Sequence, residues 1–188
     1  MAGACGIGMA GVAYLLVQRG MKVDGCDEHP NRLAAWLKKN GIDVREGHDA
    51  SHVAGASSVD WLVRTRAVPD DCPEVQAANR RGIPVFYRGE VLPELLRGQT
   101  SVAVCGTHGK TTTTTFITQL LKKAGRHPSW CIGGENPDLG GVAGQGTGYL
   151  LVVEADESDG TLALYHPDIA VVTNIEFDHM EHFESVED

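Results

Sequence analysis

The stretch VAVCGTHGKTTTTTF, which begins at Val102, constrains the fold more than any other part of the chain. An apolar run leads into Gly-Thr-His-Gly-Lys-Thr and then into further threonines. A loop that binds nucleotide phosphates needs glycines so that backbone N–H groups can converge on the phosphate oxygens. It also needs a lysine for the terminal phosphates and a hydroxyl group for Mg²⁺. These groups are supplied by Gly106, Gly109, Lys110 and Thr111.

The stretch therefore predicts a strand, a phosphate-binding loop and a helix, with one departure from the usual form. The standard sequence has glycine where Val104 stands, so we expect a tighter loop. The alternative is a threonine-rich helix start after an ordinary turn. Threonine is poor in a helix interior, but near the first turn its hydroxyl can cap the helix or bind a ligand.

Acidic residues follow a second apolar run, in VVEADESDG from Val152. Ligands of open α/β sheets bind at the carboxyl ends of the strands. Glu154, still within the predicted strand, is placed to reach Mg²⁺ directly or through water. Asp156, Glu157 and Asp159 are expected to lie outside this contact or at the surface. The alternative is a solvated acidic turn.

A third strand leads into NIEFDHMEH, which begins at Asn174. His179 offers a ring nitrogen either to a metal ion or to a polar contact. The spacing to His182 does not decide between these two roles.

The first residues, GACGIGMAG from Gly3, form a glycine-rich loop that opens a helix. Asp27 ends the next predicted strand about 20 residues later, which is the layout of a Rossmann dinucleotide-binding unit. The alternative is a glycine-rich helix start that serves packing alone. Two loops of nucleotide type in one chain indicate two different nucleotide ligands.

Short β-like runs alternate with amphipathic stretches, which predicts an α/β fold with parallel strands. A polar, glycine-containing segment before a fresh strand places a domain boundary after residue 98. The predicted strands are 21–27, 60–65, one at the end of 73–87, 101–105, 129–132 and 149–156, and one more begins at 169. Predicted helices are 31–41, one at the start of 73–87, one that ends at Gly98, and 110–124. A glycine-rich loop is expected after residue 132.

Composition restricts the class of protein. The net charge of −9, from 25 acidic and 16 basic residues, argues against nucleic acid as a partner. No apolar run approaches the ~20 residues of a membrane span. Five dispersed cysteines are typical of reduced thiols in a cytoplasm. The glycine loop at Gly3 has no strand ahead of it, so we expect a fragment of a longer protein.

Taken in order, GACGIGMAGVA, GTHGKTTTT, IGG, VVEADESDG and VVTNIEFDH resemble the motifs of the Mur ligases of peptidoglycan synthesis. The phosphate loop of that family is the short Gly-Thr-x-Gly-Lys-Thr form, which accounts for Val104. The resemblance implies a Rossmann-like N-terminal domain over residues 1–98, without its opening strand. It also implies part of a P-loop ATPase-type central domain over residues 99–188.

The implied activity is cytoplasmic, ATP- and Mg²⁺-dependent amide formation between UDP-N-acetylmuramate and L-alanine, through an acyl phosphate. Cell-wall synthesis, and with it cell shape and division, would depend on this reaction. The resemblance assigns catalysis to Lys110, Glu154 and His179, and metal binding to Thr111, Glu154 and His179. The ATP phosphates are assigned to Gly106, Thr107, His108, Gly109, Lys110, Thr111 and Thr112. The uridine diphosphate is assigned to Gly3, Gly6, Gly8 and Asp27.

Three alternatives remain at this stage. A murein-tripeptide recycling ligase of the same family shares Gly-Thr-His-Gly-Lys-Thr, although Ser158-Asp159-Gly160 favours the alanine-adding enzyme. A nicotinamide-dependent oxidoreductase would use the first glycine loop but leaves the Lys110 loop unexplained. A non-catalytic nucleotide-binding module is the third.

Overall fold

The computed structural model describes residues 1–55, 58–157 and 160–176. The chain forms two compact units, Met1–Val91 and Leu92–Asp188. Strands and helices alternate in both units and most strand pairs are parallel, so the predicted α/β class is confirmed. The division falls within the helix Arg88–Glu94, ahead of the domain boundary that we predict after residue 98. Among the described residues, none of the helices has the length and apolar character needed to cross a bilayer.

The first unit consists of two parallel strand pairs, β1 with β2 and β3 with β4. Ala2 forms parallel bridges to Cys26 of β1 and to Arg64 of β3, so the start of the chain lies between the two pairs. The elements are α1 (Ile7–Gln18), β1 (Gly25–Asp27), α2 (Arg32–Lys39), β2 (Val44–Glu46), α3 (Ser51–Ala54), β3 (Leu62–Arg64), α4 (Pro73–Arg80), β4 (Val85–Tyr87) and α5 (Arg88–Glu94).

Local signals in the sequence account for the helices of this unit. Asn31 caps α2, because its side chain accepts a hydrogen bond of 2.8 Å from the Leu33 N–H. Leu33 and Leu37, four residues apart, are the buried residues of this helix. α4 starts at Pro73, where the missing N–H costs nothing. The predicted helix 31–41 is therefore confirmed within two residues of each end.

One carboxylate, that of Glu74, is buried in the first unit with 1% of its surface exposed. Burial alone raises the pKa of Glu74, but hydrogen bonds from Cys72, the Asp49 N–H, Cys26 and His52 outweigh burial and lower the pKa to about 2. Burial also raises the pKa of the Cys26 thiol, and it raises that of Cys72 to about 11. The carboxylate is thus a charged acceptor surrounded by protonated thiol donors.

The second unit is a sheet of five strands in the order β7-β6-β8-β5-β9. β5 pairs in parallel with β8 on one side and β9 on the other, β6 pairs in parallel with β8, and β7 is antiparallel to β6. The elements are β5 (Thr100–Cys105), α6 (Lys110–Lys123), β6 (Ser129–Asn136), β7 (Gly141–Gly144), β8 (Leu150–Glu154), a 3₁₀ turn (Leu162–Leu164) and β9 (Ile169–Val172).

The expected glycine-rich loop after residue 132 is wrong, because β6 continues to Asn136 and Gly141–Gly144 forms β7. Gly144 serves packing, because a Cβ there would lie 2.5 Å from the Trp130 indole. Its absent side chain lets the ring lie against the neighbouring strand. In the first unit, the predicted strand 21–27 is shortened to β1, and β2 is not foreseen from the sequence.

Candidate active site

The Lys110 loop lies at the carboxyl edge of the second sheet, between β5 and α6. β8 and β9 flank β5 in parallel, so all three strands end at this edge. α6 is 14 residues long and begins at Lys110, directly after Gly109 at a φ of 81°. The first turn of a long helix therefore points unpaired backbone N–H groups at the loop, an arrangement that suits an anion.

Gly106 is required by a close approach of backbone to backbone. Its φ is 120°, and a Cβ there would lie 2.3 Å from Thr173 Oγ1 and 2.6 Å from the carbonyl oxygen of Asn174. Both the backbone angle and the space therefore exclude any residue with a side chain. Val104, one position inside β5, is fully buried and paired in register with Glu154. The strand thus continues through the position at which longer phosphate loops have glycine.

The Lys110 side chain bends back over its own loop. Its ammonium donates to the carbonyl oxygens of Gly106 at 2.7 Å and Thr107 at 3.2 Å, and lies 2.6 Å from Glu157 Oε1. Both partners of this ion pair are largely buried, with 14% and 11% of their side chains exposed. Glu157 is therefore part of the site, whereas the sequence pattern placed it outside the central contact or at the surface.

Glu154, the last residue of β8, faces the first turn of α6. Its Oε1 accepts a hydrogen bond of 3.0 Å from the Thr111 hydroxyl, and its Oε2 accepts one of 2.7 Å from the Gly133 N–H. A Cβ on Gly133 would lie 2.5 Å from Oε1, so glycine makes room for the carboxylate. The structure brings Thr111 and Glu154 together, as the proposal of a shared metal ion requires.

The segment that follows β9 holds the other side of the loop. Thr173 Oγ1 lies 2.7 Å from the carbonyl oxygen of His108. The Asn174 side chain accepts a hydrogen bond of 2.9 Å from the His108 N–H and donates one of 3.0 Å to the His108 carbonyl. The Thr107 N–H donates to the Asn174 carbonyl at 3.2 Å. These contacts tie the backbone of the loop to the segment that follows β9.

Thr173 and Asn174 were not assigned to the site from the sequence. Their position directly after a strand, in a chain whose Lys110 loop also follows a strand, is the signal that places them at the same edge. The threonines deeper in α6 lie outside the site: Thr114 and Thr118 are fully buried and donate to the carbonyl oxygens four residues earlier, at 2.8 Å each. Thr112, in the first turn, is exposed.

The glycine loop of the first unit and Asp27 also lie together. Gly3 has a φ of 77°, and Gly6 precedes the first residue of α1. Asp27 accepts hydrogen bonds from the Cys5 N–H at 2.8 Å and the His29 N–H at 3.1 Å. A Cβ on Gly8 would lie 3.0 Å from the side chain of Arg88, so this side of α1 is closely covered. Their role toward a uridine diphosphate stays a prediction.

His179 and His182 lie outside the described residues. The predicted second-metal role of His179 therefore stays a prediction.

Two family models match the chain. The Mur ligase family catalytic domain matches residues 1–100, and the Mur ligase middle domain matches residues 104–188. The chain belongs to the Mur ligase family. The family resemblance inferred from the motifs is thereby confirmed, and the two matched Mur ligase regions meet near the start of β5.

Curated Mur ligases similar to this chain carry the name UDP-N-acetylmuramate–L-alanine ligase. The protein of Gloeobacter violaceus is 44% identical over 98% of this chain, and that of Mycobacterium marinum is 46% identical over 100% of it. The matches cover 40% and 39% of those two proteins. This Mur ligase chain thus spans about two fifths of the length of the curated relatives it matches.

Solved Mur ligase structures share the fold. The UDP-N-acetylmuramate–alanine ligase of Thermotoga maritima has a TM-score of 0.88 at 32% identity, over 96% of this chain and 42% of that one. The UDP-N-acetylmuramate:L-alanyl-gamma-D-glutamyl-meso-diaminopimelate ligase of Neisseria meningitides also has a TM-score of 0.88, at 30% identity, over 99% of this chain and 63% of that one.

Proposed function

We propose that the chain is the nucleotide- and UDP-sugar-binding part of a UDP-N-acetylmuramate–L-alanine ligase. The observation that carries the proposal is the convergence of Lys110, Thr111, Glu154 and Glu157 at the carboxyl edge of one parallel sheet. A lysine in a glycine loop at a helix N-terminus, with a hydroxyl–carboxylate pair beside it, is an arrangement for a metal-bound nucleotide phosphate. The names of the curated relatives supply the substrates proposed here.

ATP is the proposed nucleotide. The backbone N–H groups from Gly106 to Thr112 would hold its phosphates. Those of Thr107 and His108 now donate to Asn174, so they would exchange this partner for a phosphate oxygen. The Lys110 ammonium now contacts loop carbonyls and Glu157, and it would exchange these partners for the terminal phosphates. It would offset negative charge at the terminal phosphates.

The side chains present fit a magnesium ion. Mg²⁺ prefers oxygen ligands, and the Thr111 hydroxyl and the Glu154 carboxylate are oxygen donors already in contact. When bound, the ion supplies charge neutralisation at the transferring phosphoryl group. Thr111 and Glu154 would hold it, and His179 is the residue that we propose for a second ion.

The proposed reaction is amide formation from a carboxylate, which is a poor electrophile because its leaving group would be oxide. Transfer of the γ-phosphoryl group of ATP to the carboxylate of UDP-N-acetylmuramate gives an acyl phosphate and ADP. The amine of L-alanine then attacks the acyl carbon, and phosphate leaves. Lys110 and Glu154 are the described residues with catalytic roles in this proposal, because they act where two anions approach each other.

The UDP-sugar is assigned to the first unit. Gly3, Gly6 and Gly8 open α1, and Asp27 fixes the backbone of the loop through the Cys5 N–H. All five cysteines are free thiols, which supports a reducing compartment and the proposed cytoplasmic location. Roles in cell-wall synthesis, cell shape and cell division follow from the proposed reaction.

A second candidate is a murein-peptide ligase of the same family. The similarity to the Neisseria structure, whose name gives a tripeptide substrate, favours it. The higher identity to alanine ligases supports the first candidate. Calorimetry with L-alanine and with the L-alanyl-D-glutamyl-diaminopimelate tripeptide, on the full-length protein, separates the two.

The test is isothermal titration calorimetry of Mg²⁺·ATP into the 188-residue chain. Wild type is compared with Lys110→Ala and with Lys122→Ala, a matched control in the last turn of the same helix. We expect Lys110→Ala to weaken binding more than tenfold and Lys122→Ala to leave it unchanged. A second titration with UDP-N-acetylmuramate is expected to give a separate isotherm that neither variant alters.

Circular dichroism verifies that each protein is folded. A folded wild type that binds no ATP, or an equal loss in both lysine variants, contradicts a working phosphate site. ATP binding without UDP-N-acetylmuramate binding leaves only a nucleotide-binding module and contradicts the ligase assignment.

A further inference from the structure

The buried carboxylate of Glu74, at the start of α4, takes no part in the proposed ligase chemistry. Two thiols and two imidazoles surround it. On one side, Cys26 Sγ lies 3.1 Å and His52 Nδ1 2.7 Å from Oε1. On the other side, Cys72 Sγ lies 3.0 Å and His48 Nδ1 3.1 Å from Oε2.

These side chains come from separate parts of the first unit. Cys26 lies in β1, His48 follows β2, His52 is in α3, and Cys72 precedes the first residue of α4. Glu74 and Cys26 are 48 residues apart in the sequence. The tertiary fold, and not a local turn, therefore assembles the group.

Two sets of three donor atoms, which share Glu74, each lie close enough together to approach one ion. The triad His48, Cys72 and Glu74 offers three ligand atoms that all lie within 4.8 Å of one another, as does the triad Cys26, His52 and Glu74. Cys26 Sγ is 3.7 Å from His48 Nδ1, which links the two triads. Ligand atoms around a tetrahedral zinc ion, with bonds of about 2.0–2.3 Å, lie roughly 3.2–3.8 Å apart.

The surroundings also suit a thiophilic ion. Cys26 and Cys72 are 3% and 4% exposed and pack in the apolar core cluster with Val53, Leu62 and Val75. The imidazoles lie at the rim, with 18% and 17% of their side chains exposed, and so provide a route from solvent. Thiolate, imidazole and carboxylate are the ligands that zinc takes in proteins.

We propose that Cys26, His48, Cys72 and Glu74 bind one zinc-class divalent ion, and that His52 positions Glu74 by a hydrogen bond to Oε1. Binding replaces the two thiol protons, which pass to the buffer, and forms two metal–sulfur bonds. The Asp49 N–H, 2.9 Å from the same oxygen, is the second group that holds the carboxylate. The ion would tie β1, the segment after β2 and α4 together.

The alternative is a carboxylate held by hydrogen bonds alone, and serine variants distinguish the two. Cys26→Ser and Cys72→Ser keep a donor to Glu74 but remove the thiolate. The reduced 188-residue chain, freed of metal by chelator dialysis, is titrated with Co²⁺ and followed by the thiolate-to-cobalt absorption in the near ultraviolet. Cys105→Ser, a free cysteine of the second unit outside this cluster, is the matched control.

In excess Mg²⁺, which occupies the oxygen site proposed at Thr111 and Glu154, we expect one thiolate-bound Co²⁺ per chain, with an absorption that Zn²⁺ abolishes by displacement. Each serine variant of the cluster is expected to weaken binding more than a hundredfold, and Cys105→Ser to leave it unchanged. His52→Gln is expected to weaken binding about 10- to 100-fold but to keep the absorption, as a residue that positions a ligand does. Wild-type Co²⁺ binding without the thiolate absorption, or no binding, overturns the proposal.

Thermal unfolding provides a second measurement that does not depend on the variants. Zn²⁺ is expected to raise the Tm of the metal-free wild type even in excess Mg²⁺, which takes oxygen ligands and avoids thiolates. No further rise in Tm when Zn²⁺ is added to the Mg²⁺-containing sample contradicts the site. Neither measurement involves ATP or UDP-N-acetylmuramate, so the result is independent of the ligase proposal.

Discussion

The Thr111 hydroxyl donates a hydrogen bond of 3.0 Å to Glu154 Oε1 and so joins the first turn of α6 to the last residue of β8. The two residues are 43 positions apart in the sequence. Their contact depends on the pairing of β5 with β8, in which Val104 lies opposite Glu154. The site that we propose for Mg²⁺ is thus a consequence of strand order.

Glu154→Gln tests this contact. Glutamine keeps an oxygen for the Thr111 hydroxyl but has no charge for a cation, so we expect Mg²⁺-dependent ATP binding to weaken about tenfold or more while the fold is retained. Calorimetry at several Mg²⁺ concentrations measures the change. Asp138→Asn, an exposed acid of the same unit, is the control. Equal Mg²⁺ dependence in both variants would show that Glu154 holds no ion.

Glu157→Gln tests the ion pair with Lys110. The Glu157 carboxylate is paired with the Lys110 ammonium and repels an incoming phosphate. Removal of its charge is therefore expected to tighten metal-free ATP binding roughly 2- to 10-fold. That range corresponds to about 0.4–1.4 kcal/mol. Calorimetry in the presence of a chelator measures it. Unchanged or weaker binding would mean that Glu157 orients Lys110 for the phosphate and does not compete with it.

Asn174→Ala tests the contact between the loop and the segment after β9. Loss of both side-chain hydrogen bonds to His108 is expected to release the loop backbone and to weaken ATP binding about tenfold, or about 1.4 kcal/mol. Hydrogen exchange of the His108 amide should accelerate in parallel. Ile175→Ala, at a neighbouring position that is 69% exposed, is the control. Unaltered exchange of the His108 amide in Asn174→Ala would contradict the proposal that Asn174 holds the loop.

Asp168 makes the stability of the second unit depend on pH. The Ser101 N–H and hydroxyl donate to Asp168 Oδ2 at 2.8 and 2.9 Å, and these hydrogen bonds lower the pKa of Asp168. Because the folded pKa is the lower one, the contribution is present above the ordinary carboxyl pKa of about 4 and is lost as pH falls through the folded pKa.

Asp168→Asn should therefore reduce the Tm at pH 7 and have a smaller effect at pH 3. Thermal unfolding of wild type and variant at both pH values measures the difference. Ser101→Ala removes the hydroxyl donor to Asp168 and also the acceptor of the Asp168 N–H, so it should give a reduction of the same sign. If Asp168→Asn lowers the Tm equally at both pH values, the contribution of Asp168 to stability does not depend on pH.

Much of the local structure could be predicted from the sequence. Asn31 with its capping side chain marks the start of α2, and the apolar run before Gly106 marks β5. Glycine and lysine at fixed positions of the loop also indicate phosphate chemistry without knowledge of the sheet. Gly141–Gly144 shows the limit of this reasoning: glycine-rich segments favour loops, yet this one forms β7 by pairing with β6, and Gly144 leaves room there for the Trp130 ring.

The family, the glycine–lysine loop between β5 and α6 and the α/β alternation follow from the sequence, because they depend on short patterns in which each residue acts on its near neighbours. The tertiary structure is needed to show that Glu157 pairs with Lys110, that Asn174 holds His108, and that four side chains meet at Glu74. Such contacts join segments tens of residues apart. Their free energy comes from strand pairing and burial over the whole unit, which no short pattern contains.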